Sequence, residues 1–582
     1  MTTPGDLPAR RDGGGGPASR VRTALRGPWL PLVAVGLLCS AYALASPVGA
    51  SVDEAAHLVY AWGTATGQVT PGHERPSVGV GGRSEVRVDV PQALLRFPSQ
   101  DCYRGRPEQP VTYCRPLPPD VRAPVEVTTY MVRYPPVYYA AEGLVMRAGL
   151  AAGLPGHRVL ILARLASVLS GLLALAWAAA LLARRVAPGP LVLGLALGLT
   201  PTAMILLASI NPNGFEVAAA VLLAAAVLAL RVDLGRGERR WGPVVAVPLG
   251  TLLLAGSRPL SWVWAGALLA TLLVPVPASM PASVDVAGGG RAGGRWSRRW
   301  RRLPLRALGG PALLATVLVL AASLAWFGWA LGVRQGEQVR IGTEVPWDTL
   351  GPGWKLFTLL LVGGWLVHDA VGQFGWETPL VDLALYAWLL VAGAALGLWA
   401  LGVRAARSSR ELLPASPAPL LPLLVGGLSA LVVLAHEYLT AFGWQGRYVL
   451  PVLAAVGVLA VPGLSAGLRR VRVRWTAVPL LVAPLVVVHV VALVWWMWRN
   501  VYGVRDWGVV RVPPTPLPVG TETWTPPAGQ RAVYLLVLLA VLAAAAGLAA
   551  LRPAPGRRPV RDLGPLPEQP PAPTGPVPPA RS

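Results

Sequence analysis

The chain has 582 residues, 54% of them hydrophobic and 14% charged, with a formal net charge of +23 and a mean hydropathy of +0.52. Soluble domains carry about 25% charged residues, so the deficit and the repeated apolar runs exclude an ordinary soluble enzyme and point to a polytopic membrane protein. Lys355 is the only lysine, and the arginines fall in short segments between apolar runs. That is the positive-inside pattern, so the charge argues for a lipid bilayer as partner and against nucleic acid.

In chain order, apolar runs predict membrane helices near 29–48, 159–183, 189–207, 214–231, 242–257, 259–277, 307–332, 379–403, 418–438, 448–466, 475–498 and 532–551. The first follows Arg20, Arg22 and Arg26 and is long enough for an anchor rather than a cleaved signal. Arg10 to Arg26, Arg184-Arg185, Arg231 to Arg240, Arg291 to Arg306, Arg404 to Arg410, Arg469 to Arg474 and Arg552 to Arg561 all suit the cytoplasmic side. These assignments agree on an all-α integral membrane protein of about twelve transmembrane helices. It is expected to be multi-pass in the plasma membrane, with both termini cytoplasmic. Residues 1–27 and 552–582 read as disordered tails around a membrane domain, 28–551.

One more crossing between Pro135 and Leu154 would place every later arginine cluster outside. That stretch therefore reads as a juxtamembrane helix at the outer face, with Glu142 and Arg147 in support. By the same parity, Trp354 to His368 is interfacial or re-entrant. The exported side then holds loops 49–157, 333–378 and 499–531 and three short turns. Cys39 lies in the first span. Cys102 and Cys114 share the first exported loop, where they either form a disulfide or stand as two thiols; an oxidising compartment favours the bond.

Asp53-Glu54 follows the first span at the head of that loop. Ser51-Val52-Asp53-Glu54 matches a capping box, with Ser51 as N-cap and Glu54 at the third helical position of a helix running through Ala65. Capping explains Glu54 better than Asp53, which leaves Asp53 the freer of the pair for catalysis. His57, one turn on, can orient the carboxylate or simply hydrogen-bond; two ligands make a poor metal site. Arg133-Tyr134-Pro135-Pro136-Val137-Tyr138-Tyr139 closes the loop and reads as an interfacial anchor with its tyrosines at headgroup depth. In Asn211-Pro212-Asn213-Gly214-Phe215-Glu216, the Asn213–Glu216 spacing again looks like a cap, yet it puts an acid on the side of Asp53.

Gln445-Gly446-Arg447-Tyr448 opens the tenth run from outside. Arg447 there opposes both the positive-inside tendency and the helix dipole, so an internal acid or a substrate phosphate must compensate it. Arg258 occupies another outer turn, and Arg164 lies early in the second run. Arginine's planar donor fork suits phosphate. His436-Glu437 and His368-Asp369 read as local hydrogen-bonded pairs, and His489 as a core histidine.

Together Asp53-Glu54-x-x-His57, Pro135-Pro136-Val137-Tyr138-Tyr139, Asn211 to Glu216 and Gln445-Gly446-Arg447-Tyr448 with Pro451 resemble a bacterial polytopic membrane family, domain of unknown function two-one-four-two. That family is in turn similar to the GT-C glycosyltransferases, many of which take sugars from polyprenyl-phosphate carriers. The resemblance implies a GT-C-like fold with outer-face juxtamembrane helices, and catalysis by an acid of the first exported loop, Asp53 or Glu54. Substrate contacts are then expected from His57, Arg164, Asn213, Glu216, Arg258, Gln445, Arg447 and Tyr448. The expected partners are a polyprenyl-phosphate-linked sugar and a cell-envelope glycan acceptor. No cofactor is expected; a divalent metal fits the family but no ligand cluster here supports one. Trp347, Trp354, Trp376 and Trp524 are either belt residues or sugar-stacking platforms. A lipid-linked glycan transporter or flippase, or a non-catalytic scaffold for envelope assembly, are the rival functions. The near absence of charge at the span centres counts against transport.

Overall fold

The computed structural model describes residues 28–69, 77–78, 84–97, 102, 111, 114, 121–277, 301–332, 350–374, 382–408, 420–440, 445–471, 474–502 and 526–551. The two tails, 1–27 and 552–582, lie outside the described residues, as do Trp347, Trp376 and Trp524.

The described chain is predominantly helical. Its helices are α1 (Trp29–Ala45), α2 (Glu54–Thr66), α3 (Tyr139–Ala151), α4 (Gly156–Leu182), α5 (Pro188–Gly198), α6 (Pro201–Leu207), α7 (Pro212–Gly235), α8 (Trp241–Ala255) and α9 (Ser261–Ala270). There follow α10 (Pro304–Ala307), α11 (Gly309–Gly332), α12 (Pro352–Gly372), α13 (Asp382–Ser408), α14 (Leu421–Thr440), α15 (Leu450–Leu459), α16 (Val461–Arg470), α17 (Arg474–Tyr502) and α18 (Gly529–Ala550). Among the described residues six helices are long and apolar enough to cross a membrane, or eight if the bent pairs α5–α6 and α15–α16 each count as one. The apolar runs that begin α1, α8, α9 and α14 form shorter helices of 10–17 residues. A crossing takes about 20 residues. The membrane assignment is thus carried by six to eight helices.

The bends follow from sequence. Proline at the start of α6 removes a backbone donor, the Thr200 hydroxyl accepts from Ala203 N at 3.2 Å, and the axis turns by 78°. Helix α7 is apolar on every side and buried along its length, as a bundle's central helix should be; α4, α8 and α15 pack around it.

A second, smaller apolar core lies between α2, α3, the start of α4 and a sheet within the first long loop. The sheet runs β1 (Ser77–Val78), β2 (Ser84–Pro91) and β3 (Pro124–Thr129) in that order, and β2 pairs antiparallel with β3 from Val86↔Thr129 to Pro91↔Pro124. Val86, Val88 and Val90 are buried while Arg87 and Asp89 between them are exposed, the period-two pattern of a half-buried strand. Helix α3 has 13 residues and so a length of about 20 Å, too short to span. It lies directly on α2: a Cβ on Gly143 would come within 2.2 Å of the Ala61 carbonyl oxygen, so only glycine allows this approach. Cys102 and Cys114 are joined by a disulfide with their Cα atoms 5.6 Å apart, and Cys39 is a buried free thiol.

Candidate functional site

The chain turns between α1 and α2 so that Asp53 immediately precedes the helix. Asp53 has φ of 58°, and among the described residues it is the only non-glycine with positive φ. Aspartate tolerates this left-handed conformation better than most residues, at a cost of order 1–3 kcal/mol. Its side chain does not cap the helix. Oδ1 accepts from the Tyr130 hydroxyl at 2.7 Å, and Oδ2 accepts from Arg447 Nη2 at 2.8 Å.

The neighbouring acid points elsewhere. Glu54 is the first helical residue, and its carboxylate accepts from the backbone N–H groups of Gly49 (2.9 Å) and Ile210 (3.1 Å). It also accepts from Arg164 Nε (2.7 Å) and Nη2 (2.6 Å). Arg164 gives its remaining donors to the carbonyls of Ala43 (2.9 Å), Ser46 (2.6 Å) and Pro47 (2.9 Å). All five guanidinium N–H groups are thereby engaged. Both side chains are fully buried. The pair ties the end of α1, the turn before Asp53 and the segment before α7 to one point.

Arg447 sits in a tight turn, Gly446–Tyr448, just before α15. Gly446 is pressed against the end of α12, where a Cβ would meet Ala370 N at 2.2 Å. Arg447 is buried; its guanidinium lies 5.2 Å from the Tyr448 ring centroid and donates to the Tyr448 hydroxyl at 3.3 Å. Arg258, in the turn between α8 and α9, stands 4.4 Å from the centroid of the same ring and 5.8 Å from that of Tyr134. Its Nη1 is 3.4 Å from Glu216 Oε2, and Glu216 Oε1 accepts from the Ser261 hydroxyl at 2.6 Å. Two acids and two arginines are thus strung together through one tyrosine.

Burial works against the charge of each group here. For Asp53 it is outweighed by the Arg447 guanidinium and the Tyr130 hydroxyl, and the carboxyl titrates below its ordinary value. Burial is likewise overcome at Arg447 and Arg258, which are held more firmly cationic by Tyr448 and Asp53 and by Tyr134 and Glu216 respectively. His57 behaves oppositely: burial drives its pKa down to about 3 despite Asp53, so the ring is neutral at physiological pH. Its Nδ1 lies 2.7 Å from the Tyr139 hydroxyl and its ring meets Tyr134 edge-on at 5.2 Å.

A family model for a predicted membrane protein, DUF2142, matches residues 37–456, more than two thirds of the chain. The chain belongs to the DUF2142 family. No curated protein and no solved structure matches it. The matched DUF2142 region runs from within α1 to within α15 and contains Asp53, Glu216, Arg258 and Arg447.

In this DUF2142 member several sequence expectations are corrected. The capping box does not form: Ser51 is not the cap, and Glu54 turns into the core because Arg164 waits there. A lone buried charge of either sign is prohibitive, so each holds the other in place. Glu54 is accordingly an anchor rather than a reactive group, and Arg164 has no donor left for a phosphate. Asn211, not Asn213, caps α7: its Oδ1 accepts from Asn213 N (3.0 Å) and Nδ2 (2.5 Å), while its own Nδ2 donates to the Val52 carbonyl at 2.7 Å. Asn213 gives its backbone and side-chain N–H groups to that cap, and its own Oδ1 has no hydrogen-bond partner among the described residues. Tyr138 and Tyr139 are buried within the protein; Tyr138 bonds Ser167 at 2.7 Å and Tyr139 bonds His57. Gln445 contributes its carbonyl to the turn, accepting from Tyr448 N at 2.9 Å.

Tyr130 and Tyr134 escaped the sequence reading; one stands alone in a long loop and the other was absorbed into the anchor motif. Among the described residues no group of three or more His, Cys, Asp or Glu side chains is arranged to hold a metal. His368 Nδ1 and Asp369 Oδ1 are 3.8 Å apart, Trp354 is exposed, and His489 is buried within α17. The Glu437 side chain lies outside the described residues.

Proposed function

We propose that this DUF2142 protein is a GT-C-like inverting membrane glycosyltransferase. It transfers a sugar from a polyprenyl-phosphate donor to a cell-envelope glycan at the outer face of the plasma membrane. In this reading the bundle has about twelve spans with both termini cytoplasmic, a topology supported by the arginine distribution and by twelve apolar helical units, some short. One observation carries the functional part: a carboxylate on a left-handed residue lies 2.8 Å from a buried arginine whose position opposes the positive-inside tendency.

Asp53 takes the proton of the acceptor hydroxyl. The acceptor oxygen forms its bond to the anomeric carbon as the bond from that carbon to the phosphate oxygen breaks. The phosphate leaves with the bonding electron pair, and Arg447, assisted by Arg258, stabilises its charge. Tyr130 keeps the carboxylate aimed while its other oxygen works, and the Glu54–Arg164 pair fixes the backbone on which Asp53 stands.

The test is envelope-glycan composition in a deletion strain complemented with wild type or with Asp53→Asn. A sugar missing from the deletion strain and from the Asp53→Asn strain, but restored by wild type, is the expected result. Full restoration by an expressed, membrane-inserted Asp53→Asn protein overturns the enzyme reading. The closed ion pair also suits a scaffold that only binds the carrier lipid; such a protein tolerates Asp53→Asn and fails with Arg447→Gln.

A further inference from the structure

Each arginine of the site is matched to one carboxylate, Arg447 to Asp53 at 2.8 Å and Arg258 to Glu216 at 3.4 Å. Both guanidinium groups approach the ring of Tyr448, so two like charges are gathered around one side chain. Such an arrangement is unfavourable unless anions compensate it, and here the compensating anions are the protein's own. We propose that the cluster is a phosphate site closed by its internal carboxylates: a phosphate-bearing ligand displaces Asp53 from Arg447, and the carboxylate becomes an available base only once the ligand is seated. The proposal rests on the glycosyltransferase reading for the lipid-linked nature of that phosphate.

Geometry favours exchange over simple addition. Arg447 is 3% exposed and cannot give up one anion without receiving another. Asp53 has two separate handles, Tyr130 on Oδ1 and Arg447 on Oδ2, so losing the second leaves the carboxylate held and oriented by the first. Arg258 is the looser of the two cations. Its contact with Glu216 is longer, its side chain is 13% exposed against 3% for Arg447, and Glu216 has a second partner in Ser261. It can therefore turn toward an incoming phosphate at less cost than Arg447. The groups facing Asp53 are Arg447, His57, Tyr130 and Tyr134. With His57 neutral, Arg447 is the dominant charge among them, and its diversion to phosphate lets Asp53 titrate higher and accept a proton more readily. Binding is then ordered, donor phosphate before proton abstraction, and the Asp53–Arg447 pair is inert until the phosphate exchanges with the carboxylate.

The experiment measures binding of a short-chain polyprenyl monophosphate, and in parallel of inorganic phosphate, to the full chain in lipid nanodiscs. Asp53→Asn removes the competing charge with an isosteric residue that is at home in left-handed backbone. Wild type is expected to bind the prenyl phosphate, Asp53→Asn to bind it at least roughly tenfold tighter, and Arg447→Gln to lose it. Glu216→Gln, which keeps the Ser261 bond, tightens binding by a smaller factor and serves as the same test if Asp53→Asn does not fold. Comparable binding of inorganic phosphate assigns the site to the free anion; preference for the prenyl phosphate assigns it to the lipid headgroup. Asp53→Asn binding at wild-type strength or weaker, with Arg447→Gln inactive, refutes the competition while leaving the carrier-lipid reading intact. No binding by any form refutes the phosphate site. Tighter binding by Asp53→Asn alongside no sugar transfer by wild type sustains this inference and removes the glycosyltransferase.

Discussion

Removing Arg164 tests how the site is held. Arg164→Met takes away the cation opposite Glu54 and also the side-chain donors to the carbonyls of Ala43, Ser46 and Pro47, all inside the protein; of the three, Pro47 keeps a second donor in Ala50 N. Breaking a buried pair by deleting one partner costs about 3–5 kcal/mol, and each buried acceptor left unmade adds about 1–3 kcal/mol unless the backbone relaxes. Glu54 keeps two backbone N–H donors, from Gly49 and Ile210, which softens the loss without cancelling it. Arg164→Met is therefore expected to lose at least ~3 kcal/mol of stability. Glu54→Gln should lose less: its amide oxygen still accepts one of those N–H groups, and Arg164 retains its three carbonyl partners. The double variant should be less damaged than the sum of the singles, with a coupling of at least ~1.5 kcal/mol. Reversible unfolding in mixed micelles gives all four corners of the cycle. Additive singles, or an Arg164→Met loss under ~1 kcal/mol, would refute the account of how the turn at Asp53 is pinned.

Further outcomes follow from neighbouring contacts. Glu142 is buried, with one oxygen accepting from Ser167, and burial raises its pKa to about 8. A carboxyl raised in the folded state stabilises below its unfolded pKa and loses that contribution as pH rises through the folded value, so wild type should weaken relative to Glu142→Gln between about pH 4.5 and 8. Parallel pH–stability curves for the two proteins would contradict this. Gly143→Ala should part α3 from α2 and lower the unfolding midpoint by an amount worth ~1–3 kcal/mol or more, since its Cβ has no room beside the Ala61 carbonyl; an unchanged midpoint would count against that packing. Replacing Cys102 and Cys114 by serine opens a link across 12 residues and should cost about 3 kcal/mol, read as a matching shift when wild type is reduced.

The helical architecture was largely legible, because long apolar runs leave few alternatives to a membrane helix. Arginine distribution then predicted that Asp53 and Arg447 share one side of the bilayer, and their side chains are in contact. The role of Glu54 was not legible. The Ser51–Glu54 spacing satisfies a local capping rule, whereas the actual partner, Arg164, lies 110 residues away. Local hydrogen bonding lost to a buried ion pair that only the tertiary fold assembles. The left-handed backbone at Asp53 left no sign either, since the residue is not glycine or asparagine. Strand β2 did leave one, the alternation Val86-Arg87-Val88-Asp89-Val90, but a single strand in a long loop has no visible partner until β3 is placed beside it. The burial of Tyr138 and Tyr139 was not legible, because tyrosine is equally at home in a headgroup belt and in a core where its hydroxyl finds a partner; here Ser167 and His57 supply the partners.

The central claim is that Asp53 is the base for sugar transfer while Arg447 holds the leaving phosphate. Its most direct test is transfer from a polyprenyl-phosphate sugar to an envelope-glycan fragment, measured on purified full-length protein in bilayers for wild type and Asp53→Asn of matched thermal stability. Turnover by wild type and a loss of at least ~100-fold in Asp53→Asn is the predicted result. Transfer by Asp53→Asn at the wild-type rate would contradict it.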